Sequence, residues 1–168
     1  MKTDFRRFFP AVILLLWSAA ARADGWNLRY WDTVAKAKAD GEPILLAFTG
    51  SDWDPPSQKM IAETLYKPDF LAYAKGKFEL LTVDFPQTNR PVVLGIQNDR
   101  LRVRFGVDNL PTFILLTSNG QKPLWRYTGA PNVGPQAFIN ILAKHYHPLA
   151  PAAVTGSNAA SPTKPAGQ

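Results

Sequence analysis

Phe48-Thr49-Gly50-Ser51-Asp52-Trp53-Asp54-Pro55-Pro56-Ser57-Gln58-Lys59-Met60 reads as a strand end, a tight turn and a helix start in immediate succession. The strand is signalled by Ile44-Leu45-Leu46-Ala47-Phe48, an unbroken apolar run of the kind a parallel sheet buries on both faces. The turn follows at residues 49–53. Asp54 then stands at the N-cap, where a carboxylate accepts hydrogen bonds from the unpaired N–H groups of the first helical turn. Pro55 fills the first helical position, where its missing N–H costs nothing. Met60, Ile61, Thr64 and Leu65 recur at helical spacing and predict the inner face of a helix over 55–66.

Outward from this unit the chain keeps alternating strand and helix. Upstream, Trp31, Val34, Ala35 and Lys38 predict a helix over 31–40 closed by Gly41, with 27–30 before it as a short edge strand. Downstream, Pro68 opens a short helix to residue 75 that Gly76 ends, and 78–85 reads as a second buried strand. Residues 86–98 read as an irregular insertion, followed by a helix over 99–105 ending at Gly106. A strand over 112–117, a Ser118-Asn119-Gly120 hairpin and a strand over 124–127 come next. The last helix begins at Pro135, with Phe138, Ile141, Leu142 and His145 as its apolar face. The order predicts a mixed α/β sheet whose first two long strands are parallel and whose last two form an antiparallel hairpin.

The ends of the chain carry different information. Lys2, Arg6 and Arg7, the apolar run 11–17, and Ala21-Arg22-Ala23 have the layout of an export signal cleaved after residue 23. The run falls short of the roughly 20 residues a bilayer span requires, so no stable membrane span is expected after cleavage. Losing 1–23 removes four basic residues and one acid, a net loss of three that takes the charge from +6 to +3. A basic balance that small does not call for a nucleic-acid partner. Residues 148–168 are mostly Pro, Ala, Ser, Gly and Thr with a single charge at Lys164, a composition that predicts a disordered tail. Residues 24–147 then form one domain, destined for the periplasm or for secretion. The chain has no cysteine. Since exported proteins meet an oxidising environment, that absence is not a compartment effect.

Two segments of this chain resemble the thioredoxin-like family, in particular its exported branch of disulfide-isomerase and thioredoxin-7-type domains. Residues 48–60 resemble the strand, turn and helix that carry Trp-Cys-x-x-Cys, with Asp54 and Ser57 at the two cysteine positions. Phe105-Gly106-Val107-Asp108-Asn109-Leu110-Pro111-Thr112-Phe113 resembles the family's Tyr/Phe-Gly-Val stretch leading into a cis-proline loop. The resemblance implies a thioredoxin fold, a central mixed sheet flanked by helices. It also implies a binding groove built from Trp53, Asp54, Pro55, Pro56, Ser57, Leu110 and Pro111, with Leu110–Pro111 in the cis form. In the family the helix start stabilises a thiolate. An Asp there uses the same field as a permanent carboxylate, and as an N-cap it adds about 1 kcal/mol of stability. The acid that redox-active members often carry on the preceding strand is replaced here by Ala47-Phe48.

Catalysis by Asp54 and Ser57 is not expected. A general base works best when poised near neutrality, whereas a helix start favours the ionised carboxylate. Ser57 would need a histidine-like base, and the only histidines, His145 and His147, belong to the last helix and its end. These two alone do not make a metal site, so neither metal nor cofactor is expected. Arg100, Arg102 and Arg104 alternate around a helix and read as solvated surface. The leading expectation is a redox-inactive binding or chaperone-like module for a protein or peptide client. The alternatives are a structural or assembly subunit of an envelope complex, and an enzyme of an unrelated, non-redox type.

Overall fold

A computed structural model describes residues 25–130 and 134–146. The expected signal segment 1–23, the expected tail 148–168 and His147 lie outside the described residues. The elements are α1 (Tyr30–Asp40), β1 (Ile44–Thr49), α2 (Pro55–Met60), a π-helical turn (Ile61–Leu65), α3 (Pro68–Ala74), β2 (Glu79–Asp84), α4 (Val92–Phe105), β3 (Thr112–Leu116), β4 (Pro123–Thr128) and α5 (Gly134–His145). The four strands form one sheet in the order β2-β1-β3-β4. β1 runs parallel to β2 and antiparallel to β3, and β3 pairs antiparallel with β4. This is the thioredoxin fold that the resemblance implied.

β1 is buried along its whole length because the sheet is covered on both faces. Ile44, Leu46 and Phe48 point into a core shared with Tyr30 and Val34 of α1 and Leu101 and Phe105 of α4. Leu45 and Ala47, on the opposite face, join Met60, Leu65, Phe70, Phe138 and Leu142 from the helices of the other layer. The continuous apolar run is thus two period-2 stripes, each filling one core. α1 ends as expected on Gly41, whose φ of 71° is the left-handed conformation that a glycine C-cap adopts without a Cβ clash.

Several expectations need correction. Residues 27–30 do not form a strand. Asn27 makes a single bridge to Leu81 of β2, and the chain turns into α1 at Tyr30. The Trp26 indole anchors that entry instead, donating to the Leu65 carbonyl at 2.8 Å and stacking on Phe70. The helix expected over 55–66 widens into the π-helical turn from Ile61 onward. The supposed insertion 86–98 is half helix, since α4 already begins at Val92. Its first turns defeat a periodicity reading because Val92, Val93 and Ile96 face outward while Gly95 and Asn98 face in. Asn98 is buried because its amide donates to the Asp84 carbonyl at 2.9 Å. On α5, Phe138 and Leu142 are buried, but His145 is exposed and stacks on Trp125. The arginines of α4 are exposed, as expected, although Arg104 also bonds the Tyr30 hydroxyl and Arg102 the Val107 carbonyl.

Candidate functional site

Strand register assembles the site. Thr49 pairs with Asp84 and Phe48 with Thr112, so the 49–57 turn, the end of β2 and the Leu110–Pro111 loop converge at one end of the sheet. The resemblance implied that the turn and the Leu110–Pro111 loop meet, and the meeting follows from β1 lying between β2 and β3.

At the start of α2, Asp54 is extended (φ −97°, ψ 105°) and caps the helix. Its Oδ2 accepts the Ser57 backbone N–H at 2.9 Å and the Ser57 hydroxyl at 2.5 Å. The Ser57 Oγ in turn accepts the Gly50 N–H at 3.1 Å, and the Asp54 N–H donates to the Gly50 carbonyl at 2.9 Å. The turn and the helix start are therefore tied through one serine oxygen. Ser57 is 0% exposed. Its proton is committed to a carboxylate and its oxygen has no approach for a substrate, so the pair acts as a structural clasp. Asp54 itself is partly exposed, and Pro55 and Pro56 are exposed beside it.

Trp53 is 43% exposed but fixed in place. Its indole N–H donates to the Phe85 carbonyl at 2.7 Å, and its ring lies over Gly50, where a Cβ would come within 2.7 Å of the ring. A glycine is needed at 50 because the ring occupies the space a side chain would take. Asp52, next to Trp53, holds a loop. Its carboxylate accepts the Thr88 hydroxyl at 2.6 Å and the N–H groups of Gln87 and Thr88 at 2.9 and 2.8 Å. Those bonds, the Thr88 hydroxyl first, hold its carboxyl below the ordinary 3.8.

Asp84 was missed altogether. It accepts the Thr49 hydroxyl at 2.8 Å, the Ser51 N–H at 2.9 Å and the Ser51 hydroxyl at 2.5 Å. The available signal was its position at the end of a strand predicted to lie beside the turn. Asp54 and Asp84 thus satisfy polar groups of the turn with carboxylates, and Asp52 those of the neighbouring 87–88 loop.

At the same end of the sheet, Leu110–Pro111 is a cis peptide bond. Pro111 is buried and its carbonyl accepts the Gly129 N–H at 2.8 Å, while the Asn109 carbonyl accepts the Thr112 hydroxyl at 2.7 Å. Leu110 is partly buried against the α1/α4 core. His145 lies on α5, away from this loop in the fold. Among the described residues no group of three or more His, Cys, Asp or Glu side chains is placed to hold a metal ion. No helix among them is long and apolar enough to cross a membrane.

Residues 31–145 match the model of a thioredoxin-like domain. The thioredoxin-related protein DsbJ of Chlamydia pneumoniae is 36% identical over 103 residues, 60% of this chain but only 29% of that protein. The disulfide bond reductase DsbH of the same organism is 31% identical over 132 residues, covering 68% of this chain and 80% of that protein. A solved structure of a DsbH oxidoreductase superposes with a TM-score of 0.66 at 27% identity, over 86% of this chain and 94% of that one.

Proposed function

Since this chain belongs to the thioredoxin-like family, we propose that it is an exported, redox-inactive member that binds an extended protein or peptide client noncovalently in the groove where its relatives hold a dithiol. The observation that carries this reading is the Asp54–Ser57 clasp. With no cysteine in the chain and the Ser57 hydroxyl sealed inside, the position offers a carboxylate and no nucleophile. Thiol–disulfide exchange begins with a thiolate attacking sulfur, a step for which this chain has no atom.

What the site keeps is a recognition surface. Trp53, held rigidly and still partly exposed, supplies apolar area at little entropic cost. Pro55 and Pro56 add a stiff apolar edge. The Leu110 backbone, unpaired among the described residues, can join an extended client by main-chain hydrogen bonds. The Asp54 carboxylate at the centre favours clients with a Lys, an Arg or a free backbone N–H nearby. The basic start, apolar run and Ala21-Arg22-Ala23 of residues 1–23 support delivery to the periplasm or beyond, with 24–147 as the binding domain.

The test is fluorescence anisotropy of a labelled, permanently unfolded basic polypeptide titrated with the mature protein. Saturable binding that weakens in Trp53→Ala and Asp54→Asn, with both variants folded, is the expected result. Binding unchanged in both variants would refute the groove and favour an assembly subunit that makes its contact elsewhere. Insulin reduction by the purified protein would refute the redox-inactive reading.

A further inference from the structure

The layer opposite α2 carries a second surface that the family's groove does not use. α1 and α4 pack side by side over the same core, and between them lies a groove of about 470 Å³ lined by Trp31, Val93, Ile96, Gln97, Arg100 and Arg104. Its apolar residues lie open: Trp31 is 72% exposed, Val93 79% and Ile96 51%. The Trp31 ring is held edge-on against Tyr30 at 5.0 Å, so the indole forms a fixed wall of the groove. An exposed tryptophan beside two aliphatic residues is the composition of an interface centre more than of a solvated face.

The charges on the rim say what kind of occupant fits. Among the described residues Arg104 bonds only neutral acceptors, the Tyr30 hydroxyl at 2.9 Å and the Gly120 carbonyl at 3.1 Å. Arg100 is exposed and has no polar partner among the described residues. The one carboxylate paired with an arginine of this region is Asp99, which is taken by Arg90 at 2.6 Å. Among the described residues, therefore, two guanidinium charges border the apolar groove without a carboxylate paired to them.

We propose that the α1/α4 groove docks an acidic amphipathic segment of a partner protein, its apolar side chains against Trp31, Val93 and Ile96 and its carboxylates on Arg100 and Arg104. The two arginines are four residues apart on a helix, a separation of roughly 6 Å along the axis. A helical segment presents matching carboxylates as Glu-x-x-x-Glu, and the groove from Val93 to Arg104 is about 16 Å long, room for about three turns of such a helix. A second copy of this chain fits less well. A two-fold contact on this face would bring the Arg100 and Arg104 charges of both copies into one interface with no carboxylate from the groove to offset them, and like charges in an interface are penalised.

This surface is separate from the Trp53 groove and its test is independent of the proposed function. The probe is a synthetic helical peptide of about four turns with leucines along one face and one Glu-x-x-x-Glu pair, alongside a twin with Gln at both Glu positions. Backbone amide shifts of the isotope-labelled mature protein locate and quantify binding. The expected result is shifts confined to α1 and α4, with affinity about tenfold lower for the Gln twin and for Arg100→Glu. Trp31→Ala is expected to lose binding and Trp53→Ala to retain it. Arg100 is the charge-reversal site because it holds nothing in the fold, whereas Arg104 does. Four results overturn the proposal: equal binding of the two peptides, shifts centred on the 49–57 turn, no shifts at about 1 mM peptide, or a wild-type dimer in sedimentation velocity that Trp31→Ala dissolves.

Discussion

Replacing Asp54 by alanine should cost about 2 kcal/mol of stability, and the structure gives the reason in two parts. The first is the helix cap, whose removal costs about 1 kcal/mol. The second is Ser57. Its hydroxyl proton has Asp54 Oδ2 as its acceptor, and the side chain is fully buried. A buried hydroxyl left without a partner costs about 1–3 kcal/mol. The low end applies here because Asp54 is partly exposed and water can reach the vacated position. Asp54→Asn keeps an acceptor and a good N-cap, so it should stay within a few tenths of a kcal/mol, about the difference between those two caps. Ser57→Ala removes the hydroxyl but strands the Gly50 N–H, at about 1 kcal/mol or somewhat more. In the double variant Asp54→Ala/Ser57→Ala the shared bond is counted once, so its loss should fall about 1 kcal/mol short of the sum of the single losses. Urea unfolding followed by far-UV circular dichroism reads all four, with unchanged slopes confirming that the same surface is exposed. If Asp54→Ala lay within about 0.5 kcal/mol of wild type, or the two changes added without a shortfall, the clasp would not be a stabilising unit.

Three further outcomes are expected. Asp54→Cys with Ser57→Cys should close an intramolecular disulfide under mild oxidation, seen as the loss of two hydrogens by mass, because the helix start presents both positions in the arrangement the dithiol relatives use. Gly50→Ala should lower stability by about 1–3 kcal/mol and expose Trp53 to quenching, since the new methyl would sit 2.7 Å from the indole ring. The Asp52 carboxyl is held below 3.8, so the unfolded chain takes up its proton first. Stability tied to Asp52 is therefore complete above about pH 5 and is lost as pH falls through the depressed folded value. Asp52→Asn should flatten that acid limb, and unchanged acid sensitivity would show that the 86–89 loop does not depend on the charge.

The parts of the fold that could be read from the sequence were those where local chemistry and tertiary demand agree. β1 announced itself because burial on both faces leaves no polar position, and α2 because Asp54 and Pro55 suit the first turn whatever surrounds it. α4 was half lost for the opposite reason. Gly95 turns inward because Arg90 lies over it, with a Cβ there meeting the guanidinium at 3.0 Å, and Asn98 turns inward to reach Asp84. Those reasons are contacts, invisible to periodicity. The same holds at the site. Asp54 was legible as a cap, and Trp53 and Ser57 through the resemblance of residues 48–60, whereas the anchoring roles of Asp52 and Asp84 depend on residues more than 30 positions away.

These carboxylates also explain how the turn survives without its dithiol. In a redox-active relative the sulfur atoms must stay reachable, so the helix start has to leave an opening for attack. Here the Ser57 Oγ bridges the Gly50 N–H and the Asp54 carboxylate inside the protein, and Asp84 and Asp52 hold the two sides of the turn. Every one of those bonds fixes the backbone that carries Trp53. The consequence is a surface that does not change with redox state. On the proposed function, a client would be captured and released at rates set by noncovalent contacts alone, where a mixed disulfide would be set by thiol exchange. Complex lifetime should therefore respond to salt, through Asp54, and to truncation of Trp53, and be indifferent to reductant. Dissociation timed by stopped-flow displacement with and without dithiothreitol separates the two cases, and acceleration by the reductant would contradict a purely noncovalent groove.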